Sequence, residues 1–140
     1  RARAAAPAAR IGGVLVQPML TSGRELIVGM TRDPSFGPLV MFGLGGVLVE
    51  ALGDVAFRIA PMHRDDARRM MREIRGTRML GELRGTPAAD LGAIEDVILR
   101  VSRIAVDFPA IVELDINPLL ATASGAIAVD ARVMLRASRT

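Results

Sequence analysis

The spacing of apolar residues changes twice along the chain, and each change predicts a change of element. Gly13 to Met19 (Gly-Val-Leu-Val-Gln-Pro-Met) reads as a strand and Thr21-Ser22-Gly23 as a turn. Arg24 to Arg32 partly alternates as a second strand, ended by Asp33-Pro34. Leu39 to Phe42 is a short buried-strand run, broken by Gly43-Leu44-Gly45-Gly46 and resumed at Val47 to Glu50. Val55 to Ile59 gives one more strand, closed by Pro61. A helical period follows. Ala67, Met70, Met71 and Ile74 mark an apolar face, Asp65 and Asp66 lie in the first turn, and Gly76 comes after the last. A second helix is predicted from an Asp90 N-cap to Asp107, with Leu91, Ile94, Val97, Ile98, Val101, Ile104 and Ala105 on its apolar side and Pro109 as its stop. Strands return at Ile111 to Leu120 and Ala126 to Leu135, around the hairpin signal Thr122-Ala123-Ser124-Gly125. The order predicts an α+β domain with a mainly antiparallel sheet and two principal helices.

Composition narrows what such a domain does. With 140 residues, 51% apolar and 24% charged, the chain is long enough for one domain with a real core. There is no cysteine, which removes disulfides, thiolate zinc sites and a cysteine nucleophile. All 18 basic residues are arginine, so a Walker-type phosphate loop, a Schiff-base enzyme and a kinase-like ATP clamp are excluded unless a partner supplies the lysine. A net charge of +3 and four phenylalanines as the only aromatics disfavour nucleic acid as a partner. The longest uncharged stretch, Pro34 to Val49, is too short and too rich in glycine to cross a bilayer, which takes about 20 residues. The opening Arg-Ala-Arg-Ala-Ala-Ala-Pro-Ala-Ala-Arg has neither an apolar signal core nor serines among its arginines. Residues 1–10 therefore read as a linker or helix end from a longer polypeptide, and a cytoplasmic location is expected.

The segment Val112-Glu113-Leu114-Asp115-Ile116-Asn117-Pro118 carries the most chemical information. Alternation along a strand sends Val112, Leu114 and Ile116 to the core and Glu113, Asp115 and Asn117 to the other face. If the hairpin is centred between Ala123 and Ser124, Asn117 lies opposite Asp130 and Asp115 opposite Arg132. Asp115, Asn117 and Asp130 then share one face within reach of a single small ion, with hard oxygen donors of the kind Mg²⁺ takes beside phosphates. The competing reading is an ordinary solvent face with an Asp115–Arg132 surface ion pair. The Gly43-Leu44-Gly45-Gly46 break is read as a tight strand connection rather than a phosphate loop. His63 is read as an exposed helix-start residue, with no carboxylate placed by the sequence to orient it. The arginines at 64, 68, 72 and 75 are read as a solvated helix face with an Asp65–Arg69 pair; docking on an acidic partner or nucleic acid is the alternative.

Gly-Val-Leu-Val-Gln-Pro-Met, Gly-Arg-Glu-Leu-Ile-Val-Gly, Arg-Asp-Pro-Ser-Phe-Gly-Pro, Phe-Gly-Leu-Gly-Gly-Val-Leu-Val-Glu, Glu-Leu-Asp-Ile-Asn-Pro-Leu and Val-Asp-Ala-Arg follow one another in order. As a set they resemble the C-terminal half of the ATP-grasp domain of ADP-forming acyl-CoA synthetases, relatives of the succinyl-CoA synthetase β subunit. The resemblance runs from about residue 11 to residue 136. It implies that residues 11–140 form the C-terminal lobe of an ATP-grasp fold. Val16 to Met19, with Gln17, would offer groups to adenine, and Glu25 would meet the ribose. Asn117 and Asp130 match the family's Mg²⁺ ligands. Asp115 matches the position of a catalytic glutamate near the phosphohistidine.

The resemblance further implies an acid–CoA ligase that converts acid, CoA and ATP to acyl-CoA, ADP and phosphate through phosphohistidine. The cofactors would be Mg²⁺ and ATP/ADP. The partners would be the N-terminal ATP-grasp lobe, which holds the ATP-contacting lysine, and a CoA-binding domain with the phosphorylated histidine, in the same chain or in an α subunit. The isolated chain would be inactive. A non-catalytic scaffold or regulatory module, for instance fused to an acyltransferase, is the alternative, motivated by the missing lysine and half-site.

Overall fold

The computed structural model describes residues 13–14, 16, 18–20, 22–46, 53–83 and 85–137. Strands β1 (Arg24–Asp33) and β2 (Gly37–Leu44) form an antiparallel hairpin. Asp33 Oδ1 turns the chain between them by accepting the N–H groups of Ser35 and Phe36 at 2.7 and 2.9 Å. β3 (Val55–Ile59) pairs with the far edge of β2. The helical layer follows: α1 (Arg64–Glu73), a 3₁₀ helix (Arg75–Leu80) and α2 (Leu91–Asp107). The chain then re-enters the sheet as β4 (Ile111–Thr122), β5 (Gly125–Ala128) and β6 (Ala131–Leu135). The strand order is β3-β2-β1-β4-β5, and β6 pairs with β4 as well. This is the α+β, antiparallel architecture that the residue pattern predicts.

The helices cover one face of the sheet. Leu26, Val28 and Met30 of β1, Val40, Phe42 and Leu44 of β2, and Leu114, Leu119 and Ala121 of β4 pack against Ala67, Met70, Met71, Ile94, Ile98, Val101 and Ala105. Burial of these side chains is the main stabilising term, at roughly 1.5–3 kcal/mol for each large one. The opposite face carries Ile27, Gly29, Thr31, Met41, Phe57, Glu113 and Asp115, because alternate residues of each strand point there.

Buried polar groups in this core are partnered. Ser102 Oγ accepts from the Met62 N–H at 2.9 Å. Glu95 is held by Arg64 at 3.0 Å and Arg68 at 3.1 Å, which fastens α1 to α2. Asp54 accepts the N–H groups of Arg75 and Gly76, both at 2.7 Å. Gly76 therefore does not stop α1, as the sequence suggests. Ile74 is the C-cap, and Asp54 caps a 3₁₀ helix that begins one residue later. The Asp65–Arg69 pair is not formed either; Asp65 meets Arg68 at 3.5 Å, three residues along instead of four. The Asp90 N-cap is present, accepting from the Ala93 N–H at 3.0 Å.

The expected first strand, 13–19, is also corrected. Gly13, Val14, Val16, Pro18 and Met19 adopt no strand. Val14 and Val16 are nearly 90% exposed, so neither packs against the sheet. The strand expected at Val47 to Glu50, and the residues Thr21 and Gln17, fall outside the described residues.

Arg32, which the sequence leaves without a role, ties the sheet to the helical layer. Its Nε donates to the Ile111 carbonyl at 2.6 Å, and its Nη2 donates to those of Ala105 at 2.6 Å and Phe108 at 3.1 Å. A cation is thus placed where the last turn of α2 leaves carbonyls unpaired. Hydrogen bonds to a charged group contribute about 1.5–3 kcal/mol, so Arg32→Met should lower stability by about 2 kcal/mol. A fall in the denaturation midpoint of the intact protein would show this, whereas an unchanged midpoint would remove Arg32 from the fold's supports.

Candidate functional site

β4 positions the candidate chemistry because neighbours pair with both of its edges. On the β5/β6 side, Thr122 pairs with Gly125, Leu119 with Ala128, Ile116 with Ala131 and Asp115 with Arg132. Between the two partner strands the Asn117 N–H donates to the Asp130 carbonyl at 3.2 Å, and the Val129 N–H to the Pro118 carbonyl at 3.0 Å. Asn117 and Asp130 are therefore neighbours across the ladder, and Asp115 lies two residues from Asn117 on the same face. The return strand breaks at Val129–Asp130 instead of running unbroken from Ala126 to Leu135. Asp130 Oδ1 accepts from the Ala131 N–H at 2.9 Å, which fixes the carboxylate at this break.

The β1 side adds a bulge. Leu26 pairs with Leu119 but Val28 with Ile116, so Asn117 and Pro118 together stand opposite Ile27. A bulge reverses the in–out order of the residues beyond it. Leu119 and Ala121 consequently enter the core, while Leu120 joins the side occupied by Glu25. Strict alternation assigns Leu120 to the core, so its place in the site is visible only in the structure.

A cleft of about 400 Å³ opens beside the bulge, lined by Pro18, Met19, Leu20, Glu25, Leu120 and Ile127 among others. Pro118 and Val129, the chain neighbours of Asn117 and Asp130, also line it. Met19 and Glu25 are thus brought together, next to the Asn117/Asp130 pair. Val16 is exposed and does not line the cleft. The glycine break closes on Glu25: the Gly45 N–H donates to the Glu25 carbonyl at 2.6 Å. Gly46 has φ +67°, and a Cβ there would stand 2.8 Å from Glu25 Oε2. Gly43 and Leu44 do not break the strand as the sequence suggests but lie within β2, and Gly46 leaves room for the Glu25 carboxylate.

The oxygen donors brought together here are too few for a protein-only metal cage. Among the described residues no three His, Cys, Asp or Glu side chains gather closely enough to hold a metal ion. One amide and one or two carboxylates are a chemistry that suits Mg²⁺, which keeps waters and takes phosphate oxygens as its remaining ligands. His63 lies elsewhere, as the N-cap of α1, with its N–H bonded to Asp66 Oδ2 at 2.9 Å.

Burial, the neighbouring charge of Glu113 and that of Asp130 raise the Asp115 carboxyl above its ordinary range, while Arg132 opposes the shift. A raised value in the folded state favours the protonated form there. Its stabilising contribution is complete below the unfolded value and is lost as pH rises through the folded one. Asp115→Asn, which cannot ionise, should therefore melt higher than the parent at pH 7, with the gap closing at about pH 3. Melting curves of both proteins across that range would show it; equal midpoints at pH 7 would contradict the charge crowding.

Known proteins resemble the chain closely. It is 54% identical over 129 residues to acetate–CoA ligase [ADP-forming] I of Archaeoglobus fulgidus, covering 92% of this chain and 19% of that protein. It is 50% identical over 129 residues to the β subunit of acetate–CoA ligase [ADP-forming] I of Pyrococcus furiosus, covering 92% of the chain and 56% of that subunit. A solved structure of Ca. Korarchaeum cryptofilum dinucleotide-forming acetyl-coenzyme A synthetase 1, with coenzyme A, Ca-AMPCP and HgCl+, superposes with a TM-score of 0.88. The identity is 46%, over 96% of this chain and 58% of that one. The chain thus spans less than two thirds of each of these relatives. The ATP-grasp domain profile matches residues 1–135, and on that match, together with these relatives and the one-sided antiparallel lobe, the chain belongs to the ATP-grasp domain family.

Proposed function

We propose that this chain is the metal-binding lobe of an ADP-forming acyl-CoA synthetase and supplies part of its nucleotide site. The observation that carries the reading is the contiguity of the Met19/Glu25 cleft with the Asn117/Asp130 pair. A nucleoside in the cleft would direct its phosphates toward the two oxygen donors. Met19, Leu120 and Ile127 give the cleft apolar walls for a flat base, and the exposed Glu25 gives an acceptor for hydroxyl groups.

Asn117 and Asp130 would hold Mg²⁺, and Asp115 beside them would act on the species that exchanges phosphate with the nucleotide. When bound, the ion neutralises charge on the transferring phosphoryl group. The chain's own residues bind and orient: the β4 ladder fixes the two donors, and the glycine break holds the Glu25 backbone against β2.

A solved relative from Ca. Korarchaeum cryptofilum holds coenzyme A and Mg-AMPPCP, with a phosphohistidine segment pointing towards its nucleotide-binding site. By analogy, the rest of this synthetase would provide the lysine that the chain lacks, together with the CoA-binding and phosphohistidine parts. Those parts would lie in the same polypeptide or in a second subunit, since relatives of both arrangements match. Against the alternative of a scaffold or regulator stands the match to relatives named as ADP-forming acetate–CoA ligases.

In the complete protein, Asn117→Ala and Asp130→Ala should each lower Mg²⁺-dependent acyl-CoA synthesis on the order of 100-fold. Each should also raise the Mg²⁺ concentration for half-maximal rate, with thermal midpoints near the parent's. Steady-state kinetics against Mg²⁺ would check both effects. Parent-like rates in both variants would overturn the assignment of the metal ligands.

A further inference from the structure

The helical side of the lobe, away from the Met19/Glu25 cleft, carries a second cavity. It is a cleft of about 390 Å³ between α1, the 3₁₀ helix and the start of α2. Arg68, Arg72 and Arg78 line it against a single carboxylate, Glu95. Glu95 is already neutralised by Arg64 and Arg68, so the cleft's own acid does not satisfy the other guanidinium groups. Arg72 and Arg78 form none of the ion pairs found among the described residues. Met71, Leu80 and Leu91 supply an apolar lining.

We propose that this cleft binds a small amphipathic oxyanion, with a carboxylate or phosphate head on a short apolar body. The head would lie between Arg72 and Arg78, whose planar forks suit oxyanions. The body would cover Met71, Leu80 and Leu91. A bare inorganic anion would leave that lining wet, and a neutral apolar molecule would make no use of the exposed Arg72 and Arg78 guanidinium groups. The volume lies within the range of small-molecule pockets, about 300–1,000 Å³. Gly81, which lines the cleft, is also tied to β1, since the Arg24 guanidinium donates to its carbonyl and to that of Met79.

The test uses the complete protein with ¹³C-methyl methionine and follows the methyl resonance of Met71, assigned through Met71→Leu. Because Met71 lines only this cleft among the cavities described above, its shift separates binding here from binding at the nucleotide site. The probes are hexanoate and hexyl phosphate, with hexanol and inorganic phosphate as half-ligand controls. At least one amphipathic anion should shift Met71 saturably, at a concentration at least tenfold below either control. The tighter of the two anions identifies the head group as an organic acid or a phosphate ester. Arg72→Gln and Arg78→Gln should each weaken that binding at least fivefold while leaving the thermal midpoint and the Mg²⁺ dependence of the parent. An unmoved Met71, equal response to hexanol, equal response to inorganic phosphate, or unweakened binding in both variants would each overturn the proposal.

Discussion

β4 is hydrogen-bonded along both edges, to β1 on one side and to β5 and β6 on the other, and the rest of the lobe takes its geometry from that double pairing. A strand with two partners cannot slip without breaking two ladders at once, so its side chains are committed to their faces. Leu114, Leu119 and Ala121 are held against α2, and Asp115 and Asn117 are held on the opposite side. The bulge at Asn117–Pro118 is the one irregularity on the β1 edge of this strand, and the candidate site is built around it. A bulge on the β1 edge, opposite a break between β5 and β6 on the other, lets one strand bring two kinds of side chain to one place: the oxygen donors and the apolar wall at Leu120.

Charge is used in a similarly fixed way. With no lysine in the chain, every cation is a planar, branched donor. Several of these forks are occupied by the fold itself: Arg24 by the carbonyls of Met79 and Gly81, Arg32 by those of Ala105, Phe108 and Ile111, Arg58 by Glu73, and Arg64 and Arg68 by acids of α2. Guanidinium groups suit this task because they reach two or three acceptors at once and remain charged when half-buried. The cost is that these cations are committed to structure and are not available to phosphates.

The alternation of residues 111–120 and the turn at 122–125 were enough to place Asp115 opposite Arg132 and Asn117 beside Asp130, because a two-strand ladder has one register once its turn is centred. The Asp90 cap and the apolar stripe of α2 were legible for the same reason: both depend on residues within a few positions of each other. Gly13, Val14, Val16, Pro18 and Met19 form no strand, although their apolar run suggests one, because pairing depends on a neighbour that composition does not name. The arginine face of α1 was half misread. Its charges looked solvated, but Glu95, some thirty positions away, is buried against two of them.

The sequence by itself therefore determined the two main helices, the strands from Arg24 onward that pair in the sheet, the hairpin register and the lack of lysine. Each of these is local, or is a matter of inventory. Only the tertiary structure decided that Leu120 faces Glu25, that Gly46 makes room for the Glu25 carboxylate, that Arg32 caps α2, and that three arginines surround an apolar cleft. Those outcomes depend on a bulge and on contacts between residues tens of positions apart. Neither leaves a periodic trace in the chain, because close packing and strand pairing select them only once the sheet and helices have met.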